Sequence, residues 1–151
     1  MKSQPKTFTI FYHSANKRAG AWSKKIAVLL KRKLPKIKQD NRRPELIVAL
    51  GGDGTILEAA RKYRKVNPVI LGLNLGTVGF LASAREEKDF LNSLRRFLKG
   101  NYRTVERMMI TAEVLRKGKV IFSGEALNEI VVKNPLGVVE RPAHVGVGHH
   151  V

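Results

Sequence analysis

With 151 residues, 43% of them hydrophobic and 27% charged, the chain is long enough to bury a core and is neither disordered nor fibrous in composition. The lack of cysteine removes disulfides, thiolate nucleophiles and cysteine-ligated zinc together, and it suits a reducing compartment. A formal net charge of +17 attracts anions, and nucleic acid is one candidate among them.

The charge is concentrated at the start of the chain, where residues 1–43 carry 13 Lys and Arg against the single acid Asp40. Most of it lies in KKIAVLLKRKLPKIKQDNRR. Trp22, just before it, and Ile26, Leu29, Leu30 and Leu34 within it recur at helical spacing and the basic residues occupy the other face, which is the pattern of a solvated amphipathic helix. Aromatics interleaved with the basic residues, as base stacking requires, are nearly absent, so no specific nucleic-acid surface is expected. No run approaches the roughly eighteen apolar residues that span a bilayer. The opening MKSQPKTFTIFYH lacks the apolar block of a secretion signal, so the expected location is cytoplasmic, with no membrane partner.

In chain order, KTFTIFYH (6–13) reads as a strand and residues 19–34 as a helix stopped by Pro35. ELIVAL (45–50) reads as a second strand, residues 55–63 as a helix, PVILGL (68–73) as a third strand, and residues 86–98 as a helix ended by Gly100. Unbroken apolar strands separated by helices predict an α/β unit over residues 1–100, with an open, mostly parallel sheet covered on both faces. After Gly100 the period changes to alternation, with Met108, Ile110, Ala112 and Val114 in an extended stretch from Tyr102 to Arg116. RKGK (116–119) reads as a turn, and VIFSGEALNEIVVK continues extended. Residues 101–151 are therefore expected to form the first strands of an antiparallel, β-rich second domain that stops short. The closing NPLGVVERPAHVGVGHHV has no clear period and is expected to be a disordered terminus. No metal site is expected from its His144, His149 and His150, whose one nearby carboxylate is Glu140.

The informative stretch is LIVALGGDGTILEAARKY (46–63). A buried strand running into Gly51, Gly52, Asp53, Gly54 and Thr55 and then into a helix places these residues at the carboxyl edge of the sheet, where open α/β folds bind ligands. The glycines let the backbone adopt crowded or left-handed conformations, and the free N–H groups of the helix start can hold phosphate oxygens. The chain lacks a P-loop, because no Lys follows these glycines at the required spacing. GLNLGTVGF spaces Gly72, Gly76 and Gly79 by four and three, which is not the dinucleotide fingerprint. Asp53 is unexpected in a purely phosphate-binding loop, because a carboxylate repels phosphate. It can cap the helix or act as a base, and capping alone does not require glycines on both sides.

GGDGT after an apolar strand resembles a kinase superfamily that includes NAD kinases, diacylglycerol and sphingosine kinases and, with a variant last residue, phosphofructokinases. GLNLGTVGFLA (72–82) and ALNEIVV (126–132) are similar to the G-x-N-x-G-x-x-G-F-L and Asn-Glu segments of NAD kinases in particular. The resemblance covers roughly residues 45–133, and it implies phosphorylation by ATP of the 2′-hydroxyl on the adenosine ribose of NAD, giving NADP. It further implies that Asp53 accepts the hydroxyl proton, while Gly51, Gly52, Gly54 and Thr55 hold donor phosphates with Mg²⁺ bridging their oxygens. In the same carry-over, Asn128 and Glu129 bind the nucleoside, Phe80 lies near the adenine, and Asn74 and Gly76 shape the loop wall. A Phe in GFLA can equally be a core residue. At Glu58 the family often has an arginine or a small residue, so one phosphate contact is unfilled. The family forms homo-oligomers, and its second domain carries a later stretch of the TPTGSTAYS kind that nothing here matches, so the chain reads as an N-terminal portion. Two other readings remain at this stage. One is a lipid kinase, which would show GTGND-like residues in place of GTVGF, and the other is a non-catalytic basic module that binds nucleic acid.

Overall fold

The structure, a computed structural model, describes residues 4–76, 79–127 and 130, together with the backbone of 145–149. The chain divides into two compact units, Met1–Thr104 and Val105–Val151.

In the first unit, strands β1 (Thr7–Phe11), β2 (Lys38–Gln39), β3 (Leu46–Gly51) and β4 (Val69–Asn74) form a parallel sheet in the order β2-β1-β3-β4. Helices α1 (Lys17–Lys33), α2 (Asp53–Tyr63) and α3 (Glu87–Leu98) connect and cover it. Alternation along β3 assigns the two faces. Leu46, Val48 and Leu50 pack with Leu71 and Leu73 of β4 against Ile26, Leu29 and Leu30 of α1 and Phe90, Leu94 and Phe97 of α3. Ile47 and Ala49 turn the other way, toward Ile56, Ala59 and Tyr63 of α2. Every residue of β3 is buried, as expected of a central parallel strand covered on both sides.

The helix ends follow from local chemistry. Asn16 caps α1, its side-chain oxygen accepting the Ala19 N–H at 3.0 Å. Gly100, at φ +74°, ends α3 by donating to the Phe97 carbonyl at 2.9 Å, while Asn101 donates to the Arg96 carbonyl at 3.0 Å. These two bonds satisfy carbonyls that the helix itself leaves open.

Three expectations need correction. α2 begins at Asp53 rather than Thr55, with Gly52 as its N-cap and no capping bond from a side chain. Asp53 is therefore the first residue inside the helix and not its cap. A two-residue strand, β2, pairs with β1 at the sheet edge. It is short and exposed, so it left no apolar run to read. The third correction concerns the glycines of the turn. Among the described glycines only Gly100 and Gly118 have positive φ, so Gly51, Gly52 and Gly54 are not there to supply a left-handed backbone.

In the second unit, β5 (Met109–Arg116) and β6 (Lys119–Leu127) pair antiparallel. They are joined through Lys117 and Gly118, both at positive φ, as a two-residue hairpin turn requires. A bulge interrupts the register between Val114 and Leu115. Residues 102–108, expected to be extended, lie outside any strand. The expectation of a disordered tail also fails in part, because the backbone of β7 (Val145–His149) pairs antiparallel with β5, which gives a sheet of order β6-β5-β7.

Candidate functional site

The strand order changes direction between β1 and β3, since the chain goes from β1 outward to β2 and then returns to β3 and β4. The carboxyl ends of β1 and β3 thus flank a topological switch point, where open α/β sheets bind ligands. The turn from β3 into α2 lies at this edge. Gly51 is in register with Asn74 at the end of β4, so the turn after β3 and the loop after β4 begin side by side.

The five residues of the turn divide by role. Gly51 is buried, and a Cβ added to it would lie 2.8 Å from the Thr55 Cβ, so this glycine is required by packing against the first turn of α2. Thr55 is itself buried, and its N–H closes a tight turn onto the Gly52 carbonyl at 3.0 Å. Gly52 and Gly54 are different. A Cβ at either meets nothing within 4 Å among the described residues, so neither glycine is demanded by the protein's own packing. Their bare backbone faces open space next to the N–H groups that a helix leaves without intrahelical acceptors.

The Asp53 carboxylate is half-buried, and among the described residues no Lys or Arg pairs with it. Both of its oxygens accept from the loop after β4: Oδ2 from the Phe80 N–H at 2.8 Å and Oδ1 from the Leu81 N–H at 3.1 Å. Each carboxylate oxygen has a further lone pair, so the group can still accept from a ligand.

Asn74 is buried, and its Oδ1 accepts the Gly76 N–H at 2.8 Å, which shapes the start of the loop. Phe80 is 78% exposed, which overturns the alternative that it is a core residue. Leu81 and Ala82, just beyond it, pack beneath α2. His13, after β1, pairs with Glu58 of α2, Nε2 to Oε2 3.3 Å, at the same edge of the sheet. Glu58 is therefore occupied by a neighbour that the sequence did not reveal. Asn128 and Glu129 lie outside the described residues, as do the side chains of His144, His149 and His150.

Asp53, Thr55, Asn74 and Phe80 thus come together with the three glycines at one edge of one sheet. Gly79 and Leu81 belong to the same group and were not singled out by sequence reasoning. The signal for them was GTVGF itself, since glycine beside an exposed aromatic marks a close approach. A hollow of about 270 Å³ elsewhere in this unit is lined by Gln4, Lys33, Leu34, Arg95, Leu98 and Lys99. It lies among the last turns of α1 and α3, where cations offset the carbonyl ends of helices, and it contains none of the residues above.

A model of the ATP-NAD kinase N-terminal domain matches residues 9–102. The chain belongs to the ATP-NAD kinase family. It is 47% identical over 106 residues to the NAD kinase of Natranaerobius thermophilus, covering 68% of this chain and 36% of that protein. It is 44% identical over 96 residues to the NAD kinase of an Azoarcus species, covering 63% and 32%. The matched part spans about a third of the length of these curated relatives. The fold is shared with yeast NADH kinase, solved in complex with NADH, at a TM-score of 0.58 and 18% identity, over 80% of this chain and 45% of that one. Of the three readings left by the sequence, family membership favours the first over a lipid kinase or a nucleic-acid module.

Proposed function

We propose that this chain supplies the α/β half of an NAD kinase, which transfers the terminal phosphoryl group of ATP to the 2′-hydroxyl on the adenosine ribose of NAD. The observation that carries the reading is the Asp53 carboxylate. It is free of Lys and Arg among the described residues, half-buried at the switch-point edge, and set between two glycines whose missing side chains leave open space.

In this reading the hydroxyl proton passes to Asp53 as the new O–P bond forms and the bond to the leaving ADP oxygen breaks. A carboxylate is too weak a base to remove such a proton beforehand, so transfer accompanies a late stage of bond making, as a loose transition state allows. The N–H groups at the start of α2 hold donor phosphate oxygens, and Gly52 and Gly54 let them approach. Phe80 offers an exposed ring against which the adenine stacks, and Asn128 and Glu129 bind the nucleoside.

The donor is taken as its magnesium complex. Magnesium commonly rides on substrate phosphates and water, where it would neutralise charge on their oxygens and leave Asp53 available for the proton. Among the described residues no cluster of three His, Asp or Glu forms a dedicated metal cage. No described helix is long and apolar enough to cross a membrane. We assign the enzyme to the cytoplasm, acting as a homo-oligomer.

Ligand-induced thermal stabilisation tests this assignment. NAD and ATP with magnesium should raise the melting temperature, whereas diacylglycerol micelles and a mixed-sequence oligonucleotide should not. Stabilisation by either of the latter two alone would replace the assignment.

A further inference from the structure

The loop from Leu75 to Ala84 leaves β4 and returns to it. Its base is closed by backbone bonds, Asn74 N–H to the Ala84 carbonyl at 2.8 Å and Ser83 N–H to the Gly72 carbonyl at 2.8 Å. Its far end is held differently. Phe80 and Leu81 donate consecutive N–H groups to the two oxygens of Asp53, one each. Hydrogen bonds to an ionised acceptor are about twice as strong as neutral ones, and two from adjacent residues fix orientation as well as distance. Gly79 sits against this grip. A Cβ there would lie 2.8 Å from Asp53 Oδ1 and 3.2 Å from Asn74 Nδ2, so any side chain would push the acid and the loop apart.

We propose that Asp53 has a second task, as the clasp that positions the exposed Phe80, and that Gly79 is a positioning residue whose bareness allows the clasp to close. Acid and aromatic ring are then mechanically coupled through two backbone N–H groups. A planar ring that orders Phe80 also orders the carboxylate, and a donor group that competes for Asp53 loosens the loop. This inference rests on the proposed function for the identity of the ring, adenine, but the clasp itself does not.

Hydrogen exchange of backbone amides in the ligand-free protein tests it. Asp53→Asn exchanges one acceptor oxygen for an N–H₂ donor and should raise exchange at Phe80 and Leu81 by about tenfold or more, with no change at Ile47 and Leu94 in the core. Gly79→Ala should do the same while leaving the acid in place. Unchanged exchange at Phe80 and Leu81 in both variants, with core amides still protected, would overturn the clasp. A kinetic comparison separates positioning from chemistry. Gly79→Ala should raise KM for NAD more than it lowers kcat, whereas Asp53→Asn should lower kcat most. A Gly79→Ala enzyme with wild-type KM contradicts the positioning role. If exchange behaves as stated but no NADP forms, the functional assignment fails and the clasp stands.

Discussion

Gly54→Ala separates a glycine kept for folding from one kept for a ligand. Gly54 is the second residue of α2, exposed, and a Cβ there meets no atom within 4 Å among the described residues. Alanine removes backbone freedom from the unfolded chain and favours the helix, so the substitution should stabilise the unit by about 0.5–1 kcal/mol. For a unit of this size that is a rise of roughly 2–8 °C in melting temperature. The added methyl occupies space beside the helix N–H groups. At a ligand concentration of about 100 times Kd, binding stabilises by about 2.7 kcal/mol, and a hundredfold loss of affinity reduces this to about 0.4 kcal/mol. Thermal melts with and without NAD and ATP read both effects at once. The variant should melt higher than wild type alone and gain little from ligand. A variant that melts higher and keeps the full ligand shift would refute the claim that this glycine makes room for phosphate. Gly51→Ala is the internal control, since its Cβ would overlap Thr55 and overpack the turn, at a cost of about 1–3 kcal/mol without ligand.

Other expectations follow from the same coordinates. Leu94 is fully buried between α3 and the sheet, and Leu94→Ala should cost about 2–5 kcal/mol, read as a lowered denaturation midpoint at unchanged slope. Glu87 accepts from the Arg18 guanidinium and from the Trp22 indole N–H, and these bonds hold its carboxyl below the usual range. Because the folded value is depressed, Glu87 stabilises above the ordinary value of 4.5, and that contribution is lost as pH falls further, through the folded value. Wild type should therefore lose its advantage over Glu87→Gln on acidification below about pH 4.5, and parallel stability curves would contradict this.

Periodicity exposed the layering of the first unit because every element there except β2 carries apolar residues at its own period. The stripe Ile26, Leu29 and Leu30 lies against the sheet, and Phe90, Leu94, Phe97 and Leu98 do the same for α3. What stayed hidden depends on residues far apart in the chain. The bonds from Phe80 and Leu81 to Asp53 join positions 27 and 28 residues apart, and no local pattern encodes them. The pairing of His13 with Glu58 is of the same kind. Trp22 was readable as a stripe residue, but the partner of its indole N–H, Glu87, was not. The start of α2 was misplaced by two residues because glycine scores poorly for helix, whereas here the first turn is held by Thr55 packing on Gly51. β7 escaped notice because two of its five residues are glycine, which strands disfavour, and only Val145 and Val147 mark a face.

The central claim concerns one carboxylate, and the formation of NADP from NAD and ATP by the protein and by its Asp53→Asn variant tests it most directly. The account predicts a fall in turnover of about 10²- to 10⁴-fold, the usual share of a general base, with the fold retained because Asp53 is half-buried, pairs with no described cation, and its two backbone bonds hold only the loop after β4. A variant that makes NADP at the wild-type rate would contradict it.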